Sequence, residues 1–192
     1  MIKYFKERMA MRVDGIFGIG RAIKNRMGRT NGNQPEGSGA HTKYPTMSLD
    51  EIKALPIKNI SEKNSILFLW ATVPLLPEAF EVMESWGYRY KTMITWHKIM
   101  SLGMGYWFRG QTEHLLLGVK GNIKAFRQQV PNFYQSKALR HSEKPEYFRE
   151  LIDKAIPESN RIELFARKKT EGWDVWGNEV ESDINLEFLK QD

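Results

Sequence analysis

The chain has 192 residues, of which 29 are lysine or arginine and 23 aspartate or glutamate, and it contains no cysteine. The absence of cysteine excludes disulfides, cysteine-ligated zinc and a thiol nucleophile, while the formal charge of +6 favours an anionic partner such as nucleic acid. The balance of 41% hydrophobic and 27% charged residues is typical of one globular domain over residues 1–192. The longest apolar run, residues 66–76, is too short to cross a bilayer, so we expect a cytoplasmic protein with no membrane partner.

The first 41 residues divide into two segments. Residues 1–29 are basic and contain GIFGIGR at residues 15–21. We interpret GIFGIGR as a glycine-rich turn, because a dinucleotide-binding loop should follow a clear strand and open a helix. A nicotinamide-dependent enzyme is the alternative that this motif leaves open. Residues 30–41, TNGNQPEGSGAH, contain one apolar residue and predict a flexible polar loop, a candidate active-site lid.

Helix and strand signals alternate along the rest of the chain. Ser48 and Glu51 have the spacing of a capping box ahead of a short helix that runs through Leu55. The continuous apolar run SILFLWA predicts a central strand covered on both faces. This alternation predicts an α/β fold with a mostly parallel sheet and helices on both faces. The predicted elements after the first helix are a strand at 65–71, a helix at 75–86 ended by Gly87, strands at 88–97 and 113–119, a helix at 145–156 and a strand at 161–166.

Several candidate site residues follow or begin predicted strands, where an open α/β sheet binds its ligands. Trp96 and Lys98 end one strand; together they could stack a base and hold a phosphate, or form a core tryptophan beside a solvated lysine. Trp107 and Arg109 lie in a glycine-rich connection. Interleaved aromatics and cations suit unpaired bases, at ~1–3 kcal/mol per stack, although a hydrophobic plug over the domain is the alternative. Glu113 begins the next strand and could accept hydrogen bonds from a base edge or from backbone amides.

A second group of candidates lies nearer the C-terminus. Lys144 immediately precedes Pro145 at a predicted helix start, where it could share an anion or remain a surface lysine. Glu163 alternates with apolar neighbours in a strand, and a buried carboxylate needs donors such as the two hydroxyls of a ribose. Asn178 and Glu179 form a polar turn that could face the same cleft. No group of residues has metal-ligand spacing, so we expect no metal.

These segments, taken together and in order, resemble the MT-A70 family, which includes the messenger-RNA adenosine methyltransferases and many phage and bacterial DNA adenine methyltransferases. The resemblance covers the chain from about Tyr44 to Val180. It is carried by YPTMSLDEIKALPI (44–57), LFLWAT (67–72), WGY with ITWHK (86–98), GYWFRGQTEHLLLGVKGN (105–122), RHSEKPEYFRELI (140–152), RIELFAR (161–167) and WGNEV (176–180).

The resemblance implies a Rossmann-like methyltransferase sheet in permuted order, with the catalytic motif N-terminal and the cofactor elements C-terminal. It implies S-adenosyl-L-methionine as cofactor and methyl transfer to the 6-amino group of adenine in nucleic acid, with DNA favoured over RNA. In this scheme Lys144 holds the amino-acid end of the cofactor. Glu163 and Arg167 surround its ribose, and Asn178 and Glu179 make further cofactor contacts.

The resemblance also implies an acceptor pocket. Tyr44 and Glu113 would line the pocket for the acceptor adenine. Trp96, Lys98 and Arg109 would belong to the surrounding substrate cleft.

The catalytic motif of the family is the main departure. That motif is an acidic or amide residue, two prolines and an aromatic, and no such sequence occurs in this chain. Counting back from residues 25–26 places Gly-Ile-Gly-Arg (18–21) at the position of the catalytic motif. Asp14 and Phe17 retain the acidic and the aromatic residue of the motif, but with a different spacing. Asp14 and Phe17 are therefore the candidate catalytic residues. Two hypotheses follow: an active adenine methyltransferase, alone or as a homo- or heterodimer, and a degenerate member that binds nucleic acid or a partner.

Overall fold

The computed structural model describes residues 14–18, 47–99, 103, 107–126, 128–137 and 143–186, with the backbone alone for 14–18. These ranges form a seven-stranded mixed sheet with four α-helices, which confirms the predicted α/β class. The strands are β1 Asp14–Gly18, β2 Ser65–Thr72, β3 Arg89–Ile99, β4 Thr112–Lys120, β5 Phe133–Lys137, β6 Arg161–Leu164 and β7 Asp174–Trp176. The helices are α1 Leu49–Lys53, α2 Ile57–Ile60, α3 Leu76–Ser85, which follows a 3₁₀ turn at Val73–Leu75, and α4 Tyr147–Ala155.

The strand order places Lys98 and Glu113 at the same edge of the sheet. The order is β5-β3-β4-β2-β1-β6-β7. Strand β4 pairs antiparallel with β2 and β3, and the other described pairs are parallel, so the sheet is mostly parallel as predicted. The carboxyl ends of the six parallel strands and the amino end of β4 therefore share an edge, where such sheets bind ligands.

Helices cover both faces of the sheet because β2 sends apolar side chains to each face. Its odd-numbered residues pack with α1 and α3, and its even-numbered residues pack with α4. This two-sided burial explains why SILFLWA is apolar throughout. The first core includes Leu67, Leu69, Ile52, Val82 and Met83, and the second includes Ile66, Phe68, Trp70, Phe148 and Ile152.

The strongest local signals in the sequence form the predicted structures. At α1 the Glu51 backbone N–H donates to Ser48 Oγ at 3.2 Å and the Ser48 N–H donates to Glu51 Oε2 at 2.6 Å, so the capping box is confirmed. Helix α3 ends at Ser85, and Gly87 follows at φ 84°. A positive φ at this position terminates a helix at little steric cost when the residue is glycine.

The interpretation of GIFGIGR as a turn is wrong for its first four residues. Residues 15–18 belong to β1, which pairs in parallel with β2 on one side and β6 on the other. A strand between two others gains backbone hydrogen bonds on both edges, and this pairing outweighs the poor strand propensity of glycine. Residues 19–46, with Tyr44 and the predicted lid at 30–41, lie outside the described ranges.

Three further differences concern strands. Strand β6 ends at Leu164 rather than Ala166, because Phe165 has φ 58°, a conformation that no strand continues through. Strands β5 and β7 were not predicted; β7 has only three residues, and β5 is an edge strand with alternating exposure. No helix in the described ranges is long and apolar enough to span a membrane.

Candidate functional site

Glu113 forms the centre of a charged cluster at the carboxyl edge. It is the second residue of β4, opposite Thr72 of β2 and Trp96 of β3. Lys98 Nζ lies 3.0 Å from Glu113 Oε1, and Lys144 Nζ lies 2.6 Å from Glu113 Oε2. The carboxylate is only 12% exposed, and each of its oxygens has its own ammonium partner. The structure thus brings together Lys98, Glu113 and Lys144.

The two lysines keep Glu113 ionised. Burial alone would raise the pKa of this carboxyl, but the charges and hydrogen bonds of Lys144 and then Lys98 outweigh burial and hold the pKa below its usual value of 4.5. A carboxylate in this state is a strong acceptor and cannot donate a proton at neutral pH. It suits the binding of an amino group, whose hydrogens are donors.

Each of the two lysines lies near a tryptophan ring. Lys144 Nζ lies 5.3 Å from the ring centroid of Trp70, and Lys98 Nζ lies 5.7 Å from that of Trp96, within the range of cation–π attraction. Trp96 is 1% exposed and donates its indole N–H to Ser136 Oγ at 2.9 Å. This placement favours the core interpretation of Trp96, because a ring so buried presents no face to a base.

Trp107 and Arg109 lie on the surface beyond the same edge. Trp107 is 95% exposed and its neighbour Phe108 is 91% exposed, so these two rings do not plug the domain. The Lys98 backbone N–H donates to the Gln111 carbonyl at 2.8 Å, which extends the β3–β4 pairing to this segment. Arg109 is exposed, and the segment presents two aromatics and a cation to solvent.

Glu163 has the charged donor that its position requires. Arg149 Nη2 lies 2.5 Å from Glu163 Oε2, with side-chain exposures of 14% and 16%. Arg149 also contacts Glu146 at 3.1 Å. The sequence analysis missed Arg149, although one signal was present: it lies three residues before Ile152, and so on the buried face of α4.

The ends of β6 and β7 hold the remaining candidates. The Ala166 N–H donates to the Trp176 carbonyl at 3.0 Å, and a Cβ on Gly177 would lie 2.3 Å from the Ala166 oxygen, so only glycine fits there. Arg167 Nε lies 3.0 Å from Glu179 Oε2, and both side chains are more than 40% exposed. Asn178 is exposed beside them.

The two predicted catalytic residues lie toward opposite ends of β1. Asp14 begins β1 opposite Arg161, at the amino edge of the sheet. Gly18 ends β1 opposite Trp70 at the carboxyl edge, about 13 Å further along at ~3.3 Å per residue. The backbone register therefore places Asp14 at the wrong edge for the site and Phe17 near the right one. It favours the alternative position at residues 18–21, of which 19–21 lie outside the described ranges.

Comparison with known proteins identifies the family. The MT-A70 family model matches residues 24–179. The chain belongs to the MT-A70 family. The resemblance of the motifs is thereby confirmed, and the matched range begins after residues 14–21, so it includes neither position considered for the catalytic motif.

Individual MT-A70 relatives agree with this assignment. The chain is 38% identical over 146 residues to the Type II methyltransferase M.MunI of Mycoplasma sp, a match that covers 74% of the chain and 62% of the relative. It is 30% identical over 148 residues to the human N(6)-adenosine-methyltransferase catalytic subunit METTL3, covering 72% of the chain and 25% of the relative. A plant MT-A70-like protein from Arabidopsis thaliana is 29% identical, with 71% and 21% covered. The chain thus spans less than two thirds of these relatives.

Within the described part of the chain, no three histidine, aspartate or glutamate side chains group as metal ligands. Glu113 lies between two ammonium groups and Glu163 contacts a guanidinium, so this part of the chain offers cations and carboxylates to an organic ligand.

Proposed function

We propose that this MT-A70 chain transfers a methyl group from S-adenosyl-L-methionine to the 6-amino group of adenine in nucleic acid, with DNA favoured over RNA. The observation that carries the proposal is the buried Glu113 carboxylate between two lysines at the carboxyl edge of the sheet. The names of the relatives, a Type II methyltransferase and N(6)-adenosine methyltransferases, support the same activity. The mixed sheet with helices on both faces supports a Rossmann-like methyltransferase fold. The permuted motif order and a cytoplasmic location belong to the same proposal.

The side chains present fit the proposed cofactor. Its carboxylate would bind Lys144, its ribose hydroxyls would donate to Glu163, and its remaining polar groups would contact Arg167, Asn178 and Glu179. When bound, the cofactor supplies an electrophilic methyl group. Lys144, just before α4, contacts Glu113 of β4, and Arg149 in the first turn of α4 contacts Glu163 of β6, so the chain would offer a cation and a carboxylate to the cofactor.

The proposed role of Glu113 is to orient the acceptor. The lone pair of the adenine amino nitrogen is delocalised into the ring, so the amino group must be held by its hydrogens and aimed at the methyl donor. An ionised carboxylate can accept one of those hydrogens. Since Lys144 occupies Glu113 Oε2 at 2.6 Å, a cofactor carboxylate that attracts Lys144 would release this oxygen for the adenine. Lys144 would therefore couple the two halves of the site.

Methyl transfer tests the proposal directly. We expect label from S-adenosyl-L-methionine to enter adenine-containing DNA oligonucleotides, to a smaller extent RNA, and no oligonucleotide that lacks adenine. Transfer into cytosine, or into RNA alone, would contradict the proposed acceptor. S-adenosylhomocysteine binding without any transfer would instead support the second candidate below.

The second candidate function is a non-catalytic MT-A70 member that binds nucleic acid or a partner subunit. Two observations favour it: no acid-Pro-Pro-aromatic sequence occurs in the chain, and Asp14 lies at the amino edge of β1. In that case the protein would work as one half of a heterodimer whose other subunit supplies the catalytic motif.

Replacement of Trp107 by alanine is expected to weaken nucleic-acid binding by about 5- to 150-fold, the equivalent of one lost base stack of ~1–3 kcal/mol. Fluorescence anisotropy with a labelled oligonucleotide measures the effect, and wild-type affinity should fall as salt rises because bound counterions are released. Tyr90→Ala is the matched control, since Tyr90 is 41% exposed but starts β3 at the opposite edge. Equal losses in both variants, or an affinity independent of salt, would argue against this surface.

A further inference from the structure

Arg149 and Glu163 form a buried ion pair with an unusual contact. Only Arg149 Nη2 and Glu163 Oε2 meet, at 2.5 Å. The Arg149 Nε–H is buried and has no hydrogen-bond partner, and none of the described residues bonds to Glu163 Oε1. An arginine–carboxylate pair with a purely structural role gains most from two parallel hydrogen bonds. Here one carboxylate oxygen remains available.

The guanidinium of Arg149 is held in its charged form. Burial would lower the pKa of Arg149, but Glu163 and then Glu146 raise it above its usual value. Glu163 thus faces a permanent cation. Carboxylate oxygens accept hydrogen bonds, so the remaining oxygen of Glu163 suits a donor such as a hydroxyl.

Arg149 also belongs to the segment that reaches the other end of the site. Lys144 and Arg149 are five residues apart at the start of α4. Lys144 contacts Glu113 of β4, and Arg149 contacts Glu163 of β6. One short segment therefore bridges the two charged groups between which the proposed cofactor would lie.

We propose that Arg149 is a positioning residue that aims the free oxygen of Glu163 at the ribose hydroxyls of the cofactor. This inference rests on the proposed function, in which Glu163 binds the ribose. Because Arg149 holds Glu163 Oε2, the carboxylate of Glu163 rotates less about its Cγ–Cδ bond. Glu163 Oε1 is therefore presented to the cleft. Arg149 would thus affect how strongly the ribose hydroxyls are recognised, in addition to any role in stabilising the packing of α4 against β6.

The test compares S-adenosylhomocysteine with its 2′,3′-dideoxy analogue, each titrated calorimetrically into the full chain. Wild-type protein is expected to bind S-adenosylhomocysteine at least tenfold more tightly, as hydrogen bonds to a charged acceptor imply. In Arg149→Ala this preference should fall to about threefold or less, and Arg149→Lys should restore part of it. Arg149→Met keeps the aliphatic part of the side chain and should show the same loss of preference. It is used if Arg149→Ala does not unfold cooperatively.

Arg161→Ala is the matched control. Arg161 is also buried, at 10% side-chain exposure, and pairs with Asp153 at 3.1 Å, but it begins β6 at the edge opposite the site. Its loss should lower the melting temperature and leave the ribose preference unchanged. If Arg149→Ala or Arg149→Met keeps the ribose preference of the wild-type protein, the inference about Arg149 is overturned, but the proposed function is not. Wild-type protein that binds neither compound overturns both this inference and the proposed function.

Discussion

Replacement of Lys144 by alanine is expected to remove most of the thermal stabilisation that S-adenosylhomocysteine gives to the protein. A ligand at 100 times its dissociation constant adds ~2.7 kcal/mol of stability, which corresponds to about 5–10 °C for a domain of this size. Lys144 is the proposed partner of the ligand carboxylate and already binds a carboxylate, Glu113, at 2.6 Å. A loss of this contact should leave only a small shift in melting temperature.

The shift must be measured against each variant without ligand, because Lys144→Ala also removes one of the two partners of a buried Glu113. Lys53→Ala is the control: Lys53 pairs with Glu81 at 3.0 Å on α1, outside the site, and its loss should leave the ligand shift intact. A full shift in Lys144→Ala would exclude Lys144 from the cofactor site. Stabilisation of the parent protein by NADH in place of S-adenosylhomocysteine would instead revive the nicotinamide hypothesis.

The sequence predicts the elements whose signals are local. The apolar run of β2, the capping box of Ser48 and the stop at Gly87 each depend on a few neighbouring residues, and each forms as expected. Strand β1 has no such signal, because it forms only through pairing with β2 and β6, which follow it by about 50 and 145 residues. Local propensity cannot reveal a strand that its neighbours in the sheet impose.

In the candidate site, too, local signals identify individual residues but not the contacts between distant segments. The sequence singles out Lys98 and Glu113 from predicted strand ends, Lys144 from a helix start and Glu163 from its alternation within a strand. The structure places the first three in one cluster. Their pairing could not be predicted, since it depends on the order of strands in the sheet. Sequence reasoning assigned Lys144 to the cofactor and Glu113 to the acceptor as separate groups.

The contact between Lys144 and Glu113 changes how the site should respond to its ligands. If cofactor and acceptor sites were independent, loss of a residue in one would leave the other unaffected. A shared ammonium would couple them: the carboxylate of the proposed cofactor and Glu113 would compete for Lys144, so cofactor binding would free Glu113 for the acceptor. Removal of the charge on Glu113 should then lower methyl transfer to the acceptor without weakening cofactor binding, whereas loss of a purely structural role would weaken both.

Glu113→Gln is therefore expected to reduce methyl transfer to adenine by about 10²–10³-fold, the cost of one lost preorganised hydrogen bond in a transition state. Binding of S-adenosylhomocysteine should be unchanged or tighter, because glutamine keeps the shape of the side chain but no longer holds Lys144. Single-turnover transfer and calorimetric titration measure the two effects. Glu81→Gln, which lies in the exposed pair with Lys53, is the control and should alter neither. If Glu113→Gln loses methyl transfer and cofactor binding together, the carboxylate only supports the fold. A loss of transfer without a loss of cofactor binding is expected only if Lys144 is shared between Glu113 and the cofactor.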